Sequence, residues 1–193
     1  MHGLVVIWWQ KQFLILNMKN YIAFLRGINV SGHKKILMAE LREMLDKLKF
    51  SDARTYIQSG NIAFKSEEND VDLLANKLKQ GIQDAFGFDV PVLVIEASEL
   101  QQIFDDNPFK KDDPKKVCFV LLKSIPDANL VTEMEKISYP DETFVVTDNC
   151  VYLRCLAGFA RAKCSNNLFE RKLKVQATTR NFNTMVKMIE MSK

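Results

Sequence analysis

Histidine is scarce in this chain. Of its 193 residues only His2 and His33 are histidine, and neither stands at metal-ligand spacing from the four cysteines, Cys118, Cys150, Cys155 and Cys164. Those cysteines form no C-x-x-C pair. A zinc site is therefore not expected, and no cofactor of any kind is implied. Long apolar runs are missing as well. Two N-terminal bursts, Leu4 to Trp9 and Phe13 to Leu16, are split by Gln10-Lys11-Gln12. A bilayer span needs about 20 apolar residues, so neither burst is long enough and no membrane partner is expected. The same stretch lacks the basic start and small-residue cleavage site of a secretory signal. Without one, reduced cysteines and a cytoplasmic address are expected. The patterned part of the chain begins at Met18, so residues 1–17 are read as an extension outside the fold, dispensable for stability. The alternative is an additional strand or interfacial anchor, which would give Trp8 and Trp9 a role.

Net charge is also modest, at +3. It is unevenly spread. From Cys150 onward nine Lys or Arg residues face only Glu170 and Glu190, so this quarter carries +7 and the remainder −4. That asymmetry suits an anionic small molecule, although a solvated basic face explains it too. Hydrophobic residues at 47% and charged residues at 26% are ordinary for a globular protein, so a folded chain is expected.

The apolar run Tyr21-Ile-Ala-Phe-Leu25 reads as a central strand. After a polar, glycine-containing loop, Leu41, Met44, Leu45 and Leu48 recur at helical spacing. Ala53 to Ile57 and Ile62 to Lys65 read as strands joined through Ser59-Gly60-Asn61. Val71, Leu74, Leu78, Ile82 and Phe86 share a helix face that stops at Gly87. Val90 to Ile95 is the fourth strand, with Pro91 arguing for an edge position at its start. The order β-α-β-β-α-β is the ferredoxin-like unit. Ser98-x-x-Gln101 reads as a capping box opening a helix that Asn107-Pro108 ends. A second round then follows: strand Val117 to Leu122, with Cys118 as a buried thiol, and a helix marked by Leu130, Met134 and Ile137. A hairpin around Asp148-Asn149, a helix from Asn166 to about Lys174 and a short strand near Val175 complete it. A last helix carries Phe182, Met185, Val186 and Ile189. The expected class is α+β, with two ferredoxin-like αβ-plait halves of mostly antiparallel sheet with helices packed on them. The halves are 18–97 and 98–193.

No catalytic constellation accompanies this framework. G-x-S-x-G, H-E-x-x-H and paired-carboxylate spacings are all missing. Arg26-Gly-Ile-Asn-Val-Ser-Gly-His-Lys-Lys35 resembles a phosphate-binding P-loop only in outline. His33 intrudes before Lys34, and no Ser or Thr follows the lysine. A nucleotide triphosphate engine is therefore not expected, while backbone amides with Lys34 or Lys35 could still cradle one anion. His33 is the natural acid or base if there is one. Arg54, Tyr56 and Gln58 alternate, so they are expected on one strand face. In the up-up-down strand order of this unit, the exit of the first strand and the hairpin between the second and third share one end of the sheet. Arg26, Asn29 and His33 should therefore meet Gln58 and Asn61 there. Thr178-Thr179-Arg180-Asn181 reads as a helix start, with Thr179 or Asn181 as N-cap and Arg180 beside an anion-accepting terminus. Arg26, Asn29, His33, Gln58, Asn61 and Arg180 together form the expected ligand-binding set. The structural alternative is that Arg26 and Asn61 tie loops together.

Four stretches carry a family resemblance: Phe24-Leu-Arg-Gly-Ile-Asn-Val30 with Gly32-His33, Arg54-Thr-Tyr-Ile-Gln-Ser-Gly-Asn61, Asn107-Pro-Phe109 and Thr179-Arg-Asn-Phe-Asn-Thr184. They resemble the signature segments of the family catalogued as domain of unknown function 1697, over Met18 to about Met191. Two departures stand out: Ser31-Gly32 where the family commonly has adjacent glycines, and Phe182 where tryptophan is common. The resemblance implies two αβ-plait-like halves and no particular activity. The leading expectation is a cytoplasmic protein binding an anionic or nucleotide-like small ligand at the shared strand-end edge. The alternative is an enzyme acting on a small phosphorylated or acidic substrate, with His33 or Tyr56 carrying a proton. An RNA-binding module ranks last, because the aromatic RNP pattern is missing. The oligomeric state is left open.

Overall fold

A computed structural model describes residues 18–30 and 32–193. The expected extension at 1–17 and the family departure at Ser31 lie outside the described residues. The chain divides into two compact units, one reaching to Ser98 and taking in Glu190–Lys193, the other running from Glu99 to Ile189.

The first unit contains β1 (Lys19–Leu25), α1 (Met38–Lys47), β2 (Ser51–Tyr56), β3 (Asn61–Ser66), α2 (Val71–Phe86) and β4 (Val92–Glu96). Its sheet order is β2-β3-β1-β4, with every neighbouring pair antiparallel. This is the order that the up-up-down path requires. Strand alternation puts Tyr21, Ala23 and Leu25 of β1 against α1 and α2, where Leu41, Leu45, Leu78 and Ile82 are fully buried. The ends of α2 explain its length. Asp70 Oδ1 accepts from the N–H groups of Asp72 (2.8 Å) and Leu73 (3.1 Å), and Gly87 closes the helix in the left-handed region at φ 72°.

Helix α3 (Ala97–Asp105) follows β4 without a loop. Ser98 therefore lies inside the first turn and is not the N-cap that the capping-box spacing suggests. Asn107 is buried, and its Oδ1 accepts from the Phe109 N–H at 3.0 Å, which turns the chain at Asn107-Pro108.

The second unit repeats the pattern with β5 (Val117–Leu122), α4 (Ala128–Glu135), β6 (Glu142–Val146), β7 (Cys150–Cys155), α5 (Asn166–Leu173) and β8 (Ala177–Asn181), followed by α6 (Phe182–Met191). Its order is β6-β7-β5-β8, again antiparallel throughout. Val120, Val151, Leu153 and Phe169 lie at the heart of a core shared with α4 and α5. On the other face of this sheet Phe119 stacks with Phe104 of α3 at 5.7 Å between ring centroids, and the Tyr152 hydroxyl donates to the Ile103 carbonyl at 3.0 Å. Both halves are thus αβ-plaits, as expected.

Two local expectations are corrected. The fourth strand of the second unit, expected near Val175, runs Ala177–Asn181, so Thr178, Thr179 and Arg180 are strand residues and the helix begins only at Phe182. Polar side chains suit β8 because, among the described residues, it pairs only with β5 and so edges the sheet. In α6 the buried set is Thr184, Met185, Met188 and Ile189, with Met188 where Val186 was expected.

All four cysteines are unpaired and buried. Burial raises the Cys118, Cys150 and Cys164 thiols well above their ordinary pKa and brings Cys155 up to about 11, so they are held as neutral thiols. Among the described residues, no helix is long and apolar enough to cross a membrane.

Candidate functional site

Three chain segments meet at the exit of β1. The Leu25 N–H donates to the Gly60 carbonyl at 2.7 Å, and the Arg26 N–H donates to the Pro91 carbonyl at 3.0 Å. The loop after β1 is thereby fastened to the β2–β3 hairpin on one side and to the run-in of β4 on the other. Ile28 and Ile36 are buried beneath it. Within it Gly27, Asn29, Gly32 and Lys34 all take positive φ, at 74°, 55°, 79° and 44°. Such a backbone is compact and curled, with Val30 and His33 bridged and the His33 N–H donating to the Val30 carbonyl at 2.9 Å.

Asn29 holds this shape. Its Nδ2 donates to the carbonyls of Ile36 and Gln58, both at 2.9 Å, while its Oδ1 accepts from the Ile36 N–H at 2.9 Å. Asparagine also tolerates the left-handed backbone it occupies. Asn61 does the same for the hairpin. Fully buried, it donates from Nδ2 to the Tyr56 carbonyl at 3.2 Å and to Ser59 Oγ at 2.9 Å. Arg26, Asn29, His33, Gln58 and Asn61 therefore do lie on adjoining loops at one end of the first sheet. Within that set Asn29 and Asn61 secure the loops with their amides, whereas His33, Gln58 and the neighbouring Lys35 are exposed and Arg26 is half-buried. Lys34 turns aside to donate to the Asp89 carbonyl. The Asp89 carboxylate pairs with Lys79 at 2.8 Å; that hydrogen-bonded ammonium, with a smaller contribution from Lys34, holds it below the usual carboxylate range. Asp89 carried no signal in the sequence and Pro91 none beyond its edge position, because their partners in this loop, Lys34 and Arg26, stand more than fifty residues away.

Replacing Asn29 by aspartate is expected to cost about 2 kcal/mol, since the new carboxylate would still accept from Ile36 N–H but would set an oxygen against two carbonyls. Urea denaturation measures this; an unchanged midpoint would show that the amide does not hold the loop.

The expected alternation of Arg54, Tyr56 and Gln58 on one face stops short. Strand β2 ends at Tyr56, Ile57 takes φ 47°, and Gln58 falls in the turn. Arg54 is exposed and reaches Asp52 at 3.4 Å.

Arg180 belongs to the second unit, where β8 pairs it with Phe119. It directly precedes Asn181 at the start of α6, as its sequence context suggested, but as a strand residue. Its Nη1 donates to Thr178 Oγ1 at 2.9 Å and to the Thr179 carbonyl at 2.8 Å, and burial lowers its pKa to about 10. The N-cap of α6 is Asn181, whose Oδ1 accepts from the Thr184 N–H at 2.8 Å. Thr179 instead donates to Asn166 Oδ1 at 3.0 Å.

Comparison with known proteins adds fold and family. The solved structure of conserved bacterial protein SP0830 from Streptococcus pneumoniae matches with a TM-score of 0.70 and 24% identity, covering 91% of this chain and 99% of that one. At that identity it supports the two-half fold alone. No curated protein matches the chain. A family model described as protein of unknown function DUF1697 matches residues 18–152, more than half of the sequence. On that match, and on the signature stretches that frame the β1 loop and the β2–β3 hairpin, the chain belongs to the DUF1697 family.

Proposed function

We propose that this is a cytoplasmic binding protein whose first unit accepts an anionic, nucleotide-like small ligand at the loop edge beyond β1. Arg26, His33, Lys35 and Gln58 would meet the ligand, with Asn29 and Asn61 as the supports that hold the loops. The observation that carries this reading is the loop itself: a curled backbone rich in positive φ, fastened by Asn29 to the neighbouring hairpin, with His33 and Lys35 exposed upon it. A pre-ordered loop loses little entropy on binding, and a cation on it adds charge-assisted hydrogen bonds of about 1.5–3 kcal/mol each. Four buried, unpaired thiols support a reducing compartment. Arg180, engaged by Thr178 and Thr179 within β8, is left out of this reading.

Titration calorimetry with ADP tests it. Lys35→Ala should weaken binding about tenfold and leave the thermal midpoint within about 1 °C, because an exposed lysine contributes little to stability. Binding unaffected by Lys35→Ala and by Arg26→Ala would contradict the reading. Salt separates it from the RNA alternative: a ligand with a few charges loses affinity gently as salt rises, whereas a phosphate backbone loses it steeply.

A further inference from the structure

Among the described residues of the first unit, four large aliphatic side chains stand exposed: Val30, Leu37, Ile57 and Leu73. Three of them share the loop edge beyond β1. Val30, Leu37 and Ile57 are 56%, 54% and 52% exposed, and each adjoins a residue of the Asn29 network. Val30 follows Asn29 itself, Leu37 follows Ile36, and Ile57 precedes Gln58, whose carbonyl accepts from Asn29. One side-chain amide thus gathers all three around it. A single exposed aliphatic chain is ordinary, whereas a group of them rimmed by polar residues marks a binding surface.

Two of the three occupy positions where local stability favours a polar residue. Ile57 takes φ 47°, a left-handed backbone that strains a β-branched residue and that asparagine enters far more readily. Leu37 is the N-cap of α1, where it makes no side-chain bond to the N–H groups that a serine or aspartate would satisfy. Burial does not offset either loss, since both side chains are more than half exposed. Departures from local rules that folding leaves uncompensated point to function. The surroundings are polar and include a cation: Lys35 is exposed two residues before Leu37, and His33 and Gln58 are exposed on the same two loops.

We infer that Val30, Leu37 and Ile57 form an apolar shelf for the base of the bound ligand, so that the site selects a nucleotide over a bare phosphate or diphosphate. This rests on the anion site proposed above and adds a second recognition element to it. Lys35 meets the charge, and the shelf meets the flat apolar face beside it. Contact between base and shelf removes apolar surface of both from water, a gain that a bare diphosphate cannot make. The strained Ile57 and the uncapped Leu37 are then kept for what they bind.

The test is titration calorimetry of the full chain with ADP and with pyrophosphate, which share the diphosphate and differ by the adenosine, together with the thermal midpoint of each variant. ADP is expected to bind about tenfold or more tighter than pyrophosphate. Ile57→Asn and Leu37→Ser should each weaken ADP about fivefold and leave pyrophosphate unchanged. Both should also raise the thermal midpoint by about 2–4 °C, because one relieves the backbone and the other caps α1. Lys35→Ala should weaken both ligands. A shelf that serves folding alone makes the opposite forecast: lower midpoints and unaltered ADP binding, which would overturn the inference. Equal binding of ADP and pyrophosphate, both weakened by Lys35→Ala, would keep the anion site and overturn the shelf. No binding of either ligand would overturn both. Self-association of the parent chain without ligand, lost in Ile57→Asn, would assign the shelf to a second copy and overturn the inference equally.

Discussion

Replacing Gly60 by alanine is expected to destabilise the first unit by about 3 kcal/mol or more. Two costs add. Gly60 takes φ 71°, where a side chain costs about 1–2 kcal/mol. A Cβ built there would also lie 2.5 Å from Leu25 Cβ and 3.0 Å from Ile28 Cδ1, a clash of the kind that costs about 1–3 kcal/mol in a packed core. Neither neighbour can retreat easily. Leu25 is buried in β1 and tied to Gly60 by the 2.7 Å bond from its own N–H, and Ile28 is buried under the loop. Gly87 supplies the control, because it has nearly the same φ of 72° but nothing within 4 Å of its added Cβ. Gly87→Ala should cost only the backbone share. Urea unfolding of the two variants separates the terms; equal midpoints would show that the approach of the hairpin to β1 is looser than described.

Glu142→Gln should be almost as damaging, in the second unit. The two carboxylate oxygens accept from the Lys163 N–H at 2.8 Å and the Cys164 N–H at 2.7 Å, closing the segment after β7 against β6. Glutamine keeps one acceptor and turns an NH₂ group toward the other N–H, so one bond is lost and a donor next to the buried Cys164 is left facing a donor. A loss of about 2–3 kcal/mol follows. Burial pushes the Glu142 carboxyl up, but the bonds from Lys163 and Cys164, including the Cys164 thiol, outweigh it and hold the pKa below the ordinary value. The sign of the pH dependence follows from that depression. The contribution of Glu142 is complete above its unfolded pKa of about 4.3 and is lost as pH falls through the lower folded value. The stability gap between the parent chain and Glu142→Gln should thus be constant above about pH 5 and narrow below pH 4. Hydrogen exchange at Lys163 and Cys164 should quicken in the variant. A gap that does not change with pH would mean that the carboxylate is not the group holding this segment.

How far the sequence disclosed all this depended on the range of the interactions. Continuous apolar runs such as Tyr21–Leu25 and Val117–Leu122 became central strands because both faces of each are buried. Gly87 marked the end of α2 because caps act over three or four residues. The meeting of the β1 loop with the hairpin could be deduced from strand order, and the bond from Asn29 to the Gln58 carbonyl realises it. What stayed hidden was long-range or edge-specific. Thr178-Thr179-Arg180-Asn181 has the polarity of a helix start, yet pairing with β5, some sixty residues earlier, makes it a strand. Arg180 does precede the N-cap Asn181, but its guanidinium is engaged by Thr178 and Thr179 of β8. The supporting role of Asn29 was equally hidden, and that of Asn61 stood only as an alternative, since an asparagine that binds a ligand and one that ties a loop look alike until its partners are known.

The proposal that the loop edge of the first unit binds an anion is tested most directly by mapping ADP onto the labelled chain by NMR. Saturable shifts are predicted at Gly27 to Lys35 and at Gln58 to Gly60, reduced about tenfold in apparent affinity by Lys35→Ala. No saturable shift at millimolar ADP, or shifts confined to residues of the second unit, would contradict it.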